Sequence, residues 1–381
     1  MASKTIHIII TKEFILRALI GNQVKKLLEN GWTVHLYFDQ DNSWESLRKW
    51  NKVHIHQIPF ERDISFYKDL KALILLLKAL RNTEGVYCYS TPKASLIGSL
   101  SCFLLRKKST IYFMRGRVYE NYKGFKRTVF NLIEKSICSV SKKVVFLTLG
   151  HLEEFISMKT VKKTKATIIH NGSGNGIDLE RFKFSKAGKM KIKKDLGYKS
   201  GEKIILYLGR ICEDKGFFDF LEVSAKLISE LKNLNILIVG RNELPESVQN
   251  FIPKTLLSHV KIVNWTLEPE KYLIVSDVLL LPSKREGFGN VFLEASAASC
   301  IPIGYNILGV NSAVINNHTG VLVPLNNTLK LHEACIRLFQ DSNFKDELTI
   351  NGLNYVKEFD RKIFHDKLLK FYESELLEVH N

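Results

Sequence analysis

Short apolar strand patterns alternate with helical patterns along nearly the whole of this 381-residue chain. Strands that are apolar on both faces and separated by helices are typical of a parallel sheet covered by helices on both sides. The sequence predicts strands at 5–10, 32–38, 53–58, 86–90, 109–113, 143–147 and 167–170, and then at 203–208, 234–239, 260–263, 277–281, 301–303 and 320–323. We therefore expect an α/β protein built on two parallel sheets.

The length of the chain favours two domains, each large enough to bury its own core. The two series of strands are separated by the Gly-rich segment 171–176, which is irregular by composition, and by a lysine-rich stretch. We place the first domain at residues 1–182 and the second at 183–360. Residues 361–381 form a separate amphipathic helical pattern.

The formal net charge of +17 is distributed unevenly. Residues 1–185 carry 31 Lys and Arg against 15 Asp and Glu, whereas residues 186–381 carry 25 against 24. A positive field confined to one half indicates a polyanionic partner, such as an anionic membrane surface, a lipid diphosphate or nucleic acid. No recognised nucleic-acid-binding motif is present, so nucleic acid is not expected as a partner.

Several classes of protein are disfavoured by the composition. No apolar run reaches the roughly 18 residues that cross a bilayer, and the N-terminal apolar run is too short for a signal peptide. The six cysteines are scattered without a Cys-x-x-Cys pair, which predicts reduced thiols of a cytoplasmic protein and no zinc site. The histidines in or at strands are interpreted as structural, and none has metal-ligand spacing. No metal and no resident cofactor are expected.

The segment Pro-Ser-Lys-Arg-Glu-Gly-Phe-Gly-Asn-Val-Phe-Leu-Glu-Ala, residues 282–295, suggests a ligand site. It follows a buried strand pattern and leads into a helical one, with Glu286 in the loop and Glu294 just over a turn into the helix. A helix N-terminus at the carboxyl end of a parallel strand attracts anions, and Gly287 and Gly289 allow the backbone to approach a ligand. The alternative is a strand, loop and helix with two solvated glutamates.

A second loop carries two cations. The strand pattern 204–208 ends in Gly-Arg, with Arg210 at its tip and Lys215 at the start of the next helical pattern. A guanidinium and an ammonium on one strand-to-helix loop suit a diphosphate. The alternative, an exposed basic loop, is disfavoured by the pairing of this loop with the acidic segment about seventy residues later.

These two loops together resemble the nucleotide-sugar domain of glycosyltransferase family 4, which comprises retaining enzymes of the GT-B fold. Glu286 and Glu294, separated by seven residues, match the acidic motif of that family. The resemblance implies two Rossmann-like parallel-sheet domains facing across a cleft, with a C-terminal helix crossing back to the first domain. It also assigns acceptor binding at the membrane to the first domain and donor binding to the second.

The resemblance implies a role for each motif residue. Arg210 and Lys215 would hold the donor diphosphate, Glu294 the ribose hydroxyls, and Glu286 would face the transferred sugar. The other expected donor-binding residues are Gly287, Phe288, Gly289, Asn290 and Val291, with Arg241 and Trp265 as walls for the nucleobase. A surface arginine and a packed tryptophan are the alternatives for those last two.

The first half resembles a narrower branch that acts on undecaprenyl-diphosphate-linked sugars in bacterial surface-polysaccharide or lipid-linked glycan assembly. The carrying segments are 91–98 and 112–120, the second of which contains Arg115-Gly116 after the fifth strand. Arg115 is therefore expected as a catalytic residue, with Tyr119 and Glu120 on the acceptor side. The Gly-Gly loop that many members have after the first strand is replaced here by Ile10 to Arg17, where Arg17 is expected to meet a lipid phosphate.

The expected enzyme is a hexosyltransferase. It would move a hexosyl unit, an N-acetylated amino sugar, from a UDP-sugar to a polyprenyl-diphosphate-linked saccharide. Its place would be cytoplasmic and peripheral, at the inner face of the plasma membrane. Two alternatives remain open: a GT-B sugar-nucleotide epimerase, and a non-catalytic GT-B module that binds a membrane or another polyanion.

Overall fold

A computed structural model of the chain describes residues 4–12, 20–39, 50–61, 65–117, 119–120 and 122–380. It contains two compact units. Unit 1 combines the described residues up to Gly176 with those from Lys362 onward, and unit 2 is Ile177–Arg361.

Unit 1 is built on a parallel sheet of seven strands. The strands are β1 (Thr5–Lys12), β2 (Thr33–Asp39), β3 (Val53–Gln57), β4 (Val86–Ser90), β5 (Thr110–Met114), β6 (Lys143–Phe146) and β7 (Ala166–Ile168). Their order in the sheet is β3-β2-β1-β4-β5-β6-β7. The order reverses between β1 and β4, which is the arrangement of a doubly wound, Rossmann-like sheet.

The described helices between these strands cover both faces of the sheet. They are α1 (Gly21–Glu29), α2 (Phe66–Leu80), α3 (Pro92–Leu104), α4 (Gly124–Val140) and α5 (Leu149–Ser157). Buried residues of α2, α3, α4 and α5 share one apolar core, whereas those of α1 belong to a second core on the opposite face. The central strands between the two layers are therefore largely apolar, whereas β3 at the edge of the sheet alternates apolar and polar residues.

Unit 2 repeats this architecture with six parallel strands. They are β8 (Lys203–Leu208), β9 (Leu234–Val239), β10 (Val260–Val263), β11 (Val278–Leu281), β12 (Ile301–Tyr305) and β13 (Val321–Val323). The order is β10-β9-β8-β11-β12-β13, so the reversal falls between β8 and β11. Loops that follow these two strands leave the same edge of the sheet side by side.

The helices of unit 2 are α6 (Lys186–Asp195), α7 (Phe217–Glu230), α8 (Pro269–Val275), α9 (Asn290–Ala297), α10 (Thr328–Gln340) and α11 (Ser342–Tyr355). The last helix, α12 (Arg361–His380), lies almost wholly in unit 1. Phe364, Leu368, Tyr372 and Leu376 of α12 repeat at helical spacing and pack into the core that also contains α1. The C-terminal helix thus completes the layer on that face of the first sheet.

Histidines from three strands of unit 1 form a stack that runs from the buried His7 to the exposed His54. His7, His35 and His54 are paired across β1, β2 and β3, with ring centroids 4.8 and 4.6 Å apart. Burial lowers the pKa of His7 to about 3 and that of His35 to about 4. The sequence interpretation placed these residues in strands, but the parallel register is what brings their rings together.

The predicted fold class is confirmed: each of the thirteen predicted strands overlaps an observed one, in two Rossmann-like parallel sheets. All six cysteines lie in the described ranges and are free thiols, five of them buried. None of the described helices is both long and apolar enough to cross a bilayer.

Candidate active site

The two loops singled out by sequence lie next to each other in unit 2. The loop with Arg210 and Lys215 follows β8, and the loop with Glu286 follows β11, on the two sides of the point where strand order reverses. Residues about seventy positions apart in the sequence therefore meet at one sheet edge. This is the edge at which ligands of open α/β sheets bind.

The two loops are in direct backbone contact at Gly216. This residue has a φ of +68°, and a Cβ built on it would lie 1.9 Å from the carbonyl oxygen of Pro282. A side chain at this position would strain the backbone and would also clash with Pro282. The loops are also joined by a hydrogen bond from the Lys284 amide to the Asp214 carbonyl (2.9 Å) and by an ion pair between Arg285 and Asp214 (2.6 Å).

Lys215 and Glu286 meet where the loops touch. Lys215 Nζ donates to Glu286 Oε1 at 2.5 Å, and the hydroxyl of Ser283 donates to the same oxygen at 2.9 Å. The side chains are 17 % and 10 % exposed, so the pair is largely shielded but open on one side. Ser283 belongs to the motif identified from sequence but had no role assigned to it there. Its hydroxyl group, three residues before the glutamate, is the signal by which this contact could have been predicted.

Arg210 points along the edge of the sheet in a different direction. Its guanidinium forms an ion pair with Glu243 (Nη1 to Oε2, 2.5 Å), which lies on the loop after β9. The backbone carbonyl of Arg210 accepts a hydrogen bond from the hydroxyl of Tyr207 (2.7 Å). Arg210 and Lys215 thus stand on one loop with different carboxylate partners. Glu243 was not identified from sequence, since no local motif marks it.

The two expected nucleobase walls follow the next strands of the same edge. Arg241 comes after β9 and is exposed, and Ile211 N–H donates to its carbonyl at 2.8 Å. Trp265 comes after β10 and is 66 % exposed. A tryptophan this open is not a packed core residue, so that alternative does not hold.

The loop after Glu286 turns directly into α9. Gly289 adopts a φ of +72° immediately before the helix, whose first residues are Asn290 and Val291. Phe288 is buried against Phe359, with ring centroids 5.6 Å apart, so it anchors the loop instead of facing solvent. Gly287 is partly exposed beside it. The first amides of α9 are thus presented at the same sheet edge as Lys215.

Glu294 lies on α9 and is partly buried. Burial raises the pKa of its carboxyl group, while the positive charges of Arg181 and Arg361 act in the opposite direction. Arg181 is itself paired with Glu270 (2.5 Å) and Arg361 with Asp178 (3.0 Å). The two arginines come from distant parts of unit 2, and sequence reasoning did not connect either with Glu294.

Arg115 occupies the corresponding edge of unit 1, directly after β5. Burial lowers its pKa to about 10, although Tyr372 and Cys88 oppose this shift. Its Nη1 donates to the Gly174 carbonyl at 3.4 Å, and Gln23 donates to the same oxygen at 2.9 Å. Arg115 also lines a small pocket within unit 1, together with Gln23, Ser90, Tyr372 and neighbouring apolar side chains.

The three residues expected on the acceptor side differ in placement. Tyr119 is buried, stacks on Phe130 at 5.7 Å and sits beside the buried carboxyl group of Glu134. Glu120 is partly exposed and adjoins it in sequence. Arg17 lies outside the described residues. Among the described residues, no group of three or more His, Cys, Asp or Glu side chains could hold a metal ion.

Comparison with known proteins bears on both halves of the chain. Residues 188–355 match the family model "Glycosyl transferases group 1". The chain is 27 % identical over 380 residues to a capsular polysaccharide biosynthesis glycosyltransferase, CapM, of Staphylococcus aureus, covering 98 % of each chain. It is also 27 % identical over 315 residues to a UDP-Gal:alpha-D-GlcNAc-diphosphoundecaprenol alpha-1,3-galactosyltransferase of Escherichia coli, covering 79 % and 80 %.

Solved structures support the fold independently of sequence identity. HepE of Anabaena, determined in complex with UDP, matches with a TM-score of 0.78 over 97 % of this chain and 100 % of that one, at 13 % identity. The fold is that of GT-B glycosyltransferases. The family model and the similar glycosyltransferases confirm the prediction that this chain is an enzyme, a hexosyltransferase, over the epimerase and the non-catalytic alternatives.

Proposed function

We propose that this glycosyltransferase moves a hexosyl unit from a UDP-sugar to a hydroxyl group of a polyprenyl-diphosphate-linked saccharide, with retention of anomeric configuration. The contact between Lys215 and Glu286 at the switch point of the second sheet is the observation that carries the proposal. It joins a cation suited to a leaving diphosphate and a carboxylate suited to a sugar, close to the start of α9.

The donor's diphosphate is proposed to lie along the loop after β8. As the bond between the anomeric carbon and the phosphate oxygen breaks, the leaving group gains negative charge. Lys215, Arg210 and the first amides of α9 are suited to stabilise that charge, because preorganised donors need no rearrangement during the reaction. With two cations in this role, the chemistry does not require a metal. Glu294 is proposed to accept hydrogen bonds from the ribose hydroxyls.

Glu286 is proposed to orient the sugar and to stabilise positive charge at the anomeric carbon. The acceptor hydroxyl attacks from the face that the diphosphate leaves, so the new C–O bond forms on the same side as the broken one. The departing phosphate oxygen accepts the proton of the hydroxyl, which balances the reaction without an enzyme nucleophile. Arg115 is proposed to contact the substrates from unit 1.

The acceptor class is supported by similarity. The name of the Escherichia coli relative specifies a UDP-linked donor and a diphosphoundecaprenol-linked acceptor. An N-acetylated amino sugar as the transferred unit rests on the resemblance to the branch that uses lipid-linked sugars. A lipid-linked acceptor implies work at a membrane, and we propose a peripheral, cytoplasmic location at the inner face of the plasma membrane, where the basic first half meets anionic lipid.

The decisive experiment measures nucleoside diphosphate release by the purified full-length chain. A panel of nucleotide sugars is tested with and without an undecaprenyl-diphosphate-linked sugar. Release that requires the lipid-linked acceptor and one UDP-sugar supports the proposal, and an α-linked product from an α-linked donor establishes retention. Transfer only to acceptors without a polyprenyl diphosphate would overturn the assigned acceptor class.

A further inference from the structure

Three neighbouring helices of unit 1 expose an unusual number of large apolar side chains. Of the 23 exposed large apolar residues among those the structure describes, ten lie between residues 66 and 132, on α2, α3 and α4. They are Phe66, Tyr67, Leu70, Ile74, Leu96, Leu100, Phe103, Leu104, Phe125 and Leu132. Helix α3 packs between the other two, so these side chains share one surface layer. We call the outward side of α2, α3 and α4 the apolar face.

The exposed side of α3 differs most clearly from that of an ordinary surface helix. Leu96, Leu100, Phe103 and Leu104 recur at helical spacing and are all exposed, while Ala94, Ile97 and Cys102 on the other side fill the core. A surface helix normally carries polar residues on the side opposite the core. This helix is apolar on both sides, and only one of them is covered by the described part of the chain.

The outward stripe of α2 alternates apolar and basic residues. Tyr67, Leu70, Lys71, Ile74 and Lys78 are exposed on one side, opposite the buried Ala72, Leu76 and Leu80. Phe66 at the start of the helix is 87 % exposed. Long lysine side chains flanking apolar ones place their charges at the level of lipid headgroups while the apolar groups lie deeper.

Helix α4 adds the same combination at its N-terminus. Phe125 is 84 % exposed and is followed by Lys126 and Arg127, both exposed. Across residues 66–135 there are 14 Lys and Arg against four Asp and Glu. Of those four, Asp69 is paired with Lys93 and Glu134 is buried, so little negative charge remains to repel an anionic surface.

We propose that the apolar face is a membrane-docking surface, which inserts its exposed apolar side chains into the headgroup region of an anionic phospholipid bilayer. The combination of apolar and basic groups selects this occupant, because an apolar protein partner would not require the excess of positive charge. The inference deepens the proposed function, in which the acceptor lies in such a bilayer. Lys107 is not counted among the basic residues of this surface. Its Nζ donates to the Thr83 carbonyl oxygen at 2.5 Å and lies over the ring of Tyr87.

The test is co-sedimentation of the full-length protein with phosphatidylcholine vesicles made with and without phosphatidylglycerol. The apolar variant is Phe66→Ser/Phe103→Ser/Phe125→Ser, and its matched control is Leu257→Ser/Leu329→Ser/Ile350→Ser, three exposed apolar residues of unit 2. We expect the apolar variant to lose about tenfold or more in vesicle partitioning and the control to bind as the parent does. Equal binding by both triple variants would overturn the proposal.

A second variant, Lys71→Gln/Lys78→Gln/Lys126→Gln/Arg127→Gln, separates charge from insertion. Each well-placed cation contributes roughly a fivefold gain in binding to anionic lipid, so this variant should lose its preference for phosphatidylglycerol vesicles. Retention of the full preference would contradict the assigned surface. A change in oligomeric state of the apolar variant without a change in vesicle binding would assign the face to a second copy of the chain instead.

Vesicle binding requires no turnover, so the two proposals fail separately. Vesicle binding with no transfer to any lipid-linked acceptor would overturn the proposed function and leave the docking surface in place. Acceptor-dependent transfer with no vesicle binding would overturn the docking surface and leave the proposed function in place.

Discussion

Lys215 and Glu286, seventy-one positions apart in the sequence, form a direct ion pair with Nζ and Oε1 separated by 2.5 Å. The pair exists because β8 and β11 are neighbours at the point where strand order reverses. Each residue is proposed to contact a different part of the donor, the diphosphate and the sugar. Because the two side chains form an ion pair, each holds the other in its orientation before substrate binds.

Replacing Lys215 with alanine should reduce turnover by about 10²- to 10³-fold, because a preorganised cation at the leaving group is lost. Nucleoside diphosphate release in the presence of acceptor measures this effect. Lys226→Ala is the matched control, since Lys226 pairs with Glu222 on the exposed side of α7. Circular dichroism should show both variants folded. Near-normal turnover of Lys215→Ala would remove this residue from the leaving-group role.

Glu286→Gln should lower kcat by about 10²-fold and change donor affinity little. The amide keeps the size of the side chain and a contact with Ser283, but it cannot stabilise positive charge at the anomeric carbon. Steady-state kinetics with donor and acceptor varied separately give the two constants. A pure rise in KM for the donor, with kcat unchanged, would show that Glu286 binds the donor without assisting the reaction.

Glu294→Gln should show the opposite pattern. If its carboxylate accepts hydrogen bonds from the ribose, loss of the charge weakens donor binding by about tenfold to a hundredfold, whereas kcat at saturating donor changes less. Isothermal titration with UDP measures the binding constant without turnover. Unaltered UDP affinity would contradict the assigned role.

Gly216→Ala should destabilise the protein by about 3 kcal/mol or more, since left-handed strain and a clash with Pro282 act together. Gly201→Ala is the matched control. Gly201 has a φ of +85° but nothing within 4 Å of its Cβ position, so it should cost only about 1 kcal/mol of strain. Urea unfolding of both variants measures the difference. Equal losses would show that the two loops are not held at the spacing described.

Acid should destabilise the protein through the histidine stack. The folded-state pKa of His7 is lowered from 6.5 to about 3 by burial, with Lys107 and the neighbouring His35 acting in the same direction and the Glu84 carbonyl opposing them. The unfolded chain therefore takes up protons first, and stability present above pH 6.5 is lost progressively as the pH falls toward 3. The slope from His7 approaches about 1.4 kcal/mol per pH unit.

Unfolding free energies measured across that pH range test this expectation. His7→Asn should flatten the pH dependence although it also costs stability at neutral pH, because an asparagine does not titrate. His318→Asn, at an exposed position of unit 2, should leave the slope as it is. A slope unchanged by His7→Asn would show that other groups cause the acid sensitivity.

The sequence was most informative where one periodicity or one motif carried the signal. All thirteen strands were predicted because strands of a helix-covered parallel sheet are short segments rich in apolar residues and bounded by turn residues. Glu286 and Lys215 were identified because their motifs are local. Glu243, Arg181 and Arg361 were missed because each reaches the site region through a long-range contact that leaves no local pattern.

The surface of unit 1 also has a feature that sequence alone could not predict. Sequence revealed the excess of positive charge in the first half of the chain. Only the packing of α2 and α3 on the sheet shows which apolar side chains are covered and which, such as Phe103, are left exposed.

The sequence by itself determined the class of fold and the chemical groups of the donor site, because strand burial, turn residues and short motifs are local properties of the chain. The tertiary structure decided which of those groups meet. Strand order brings Lys215 to Glu286, register stacks the histidines, and helix packing exposes apolar side chains of α2, α3 and α4 among the described residues. These are consequences of contacts between distant segments, and such contacts are fixed by the packing of the whole sheet and not by any segment alone.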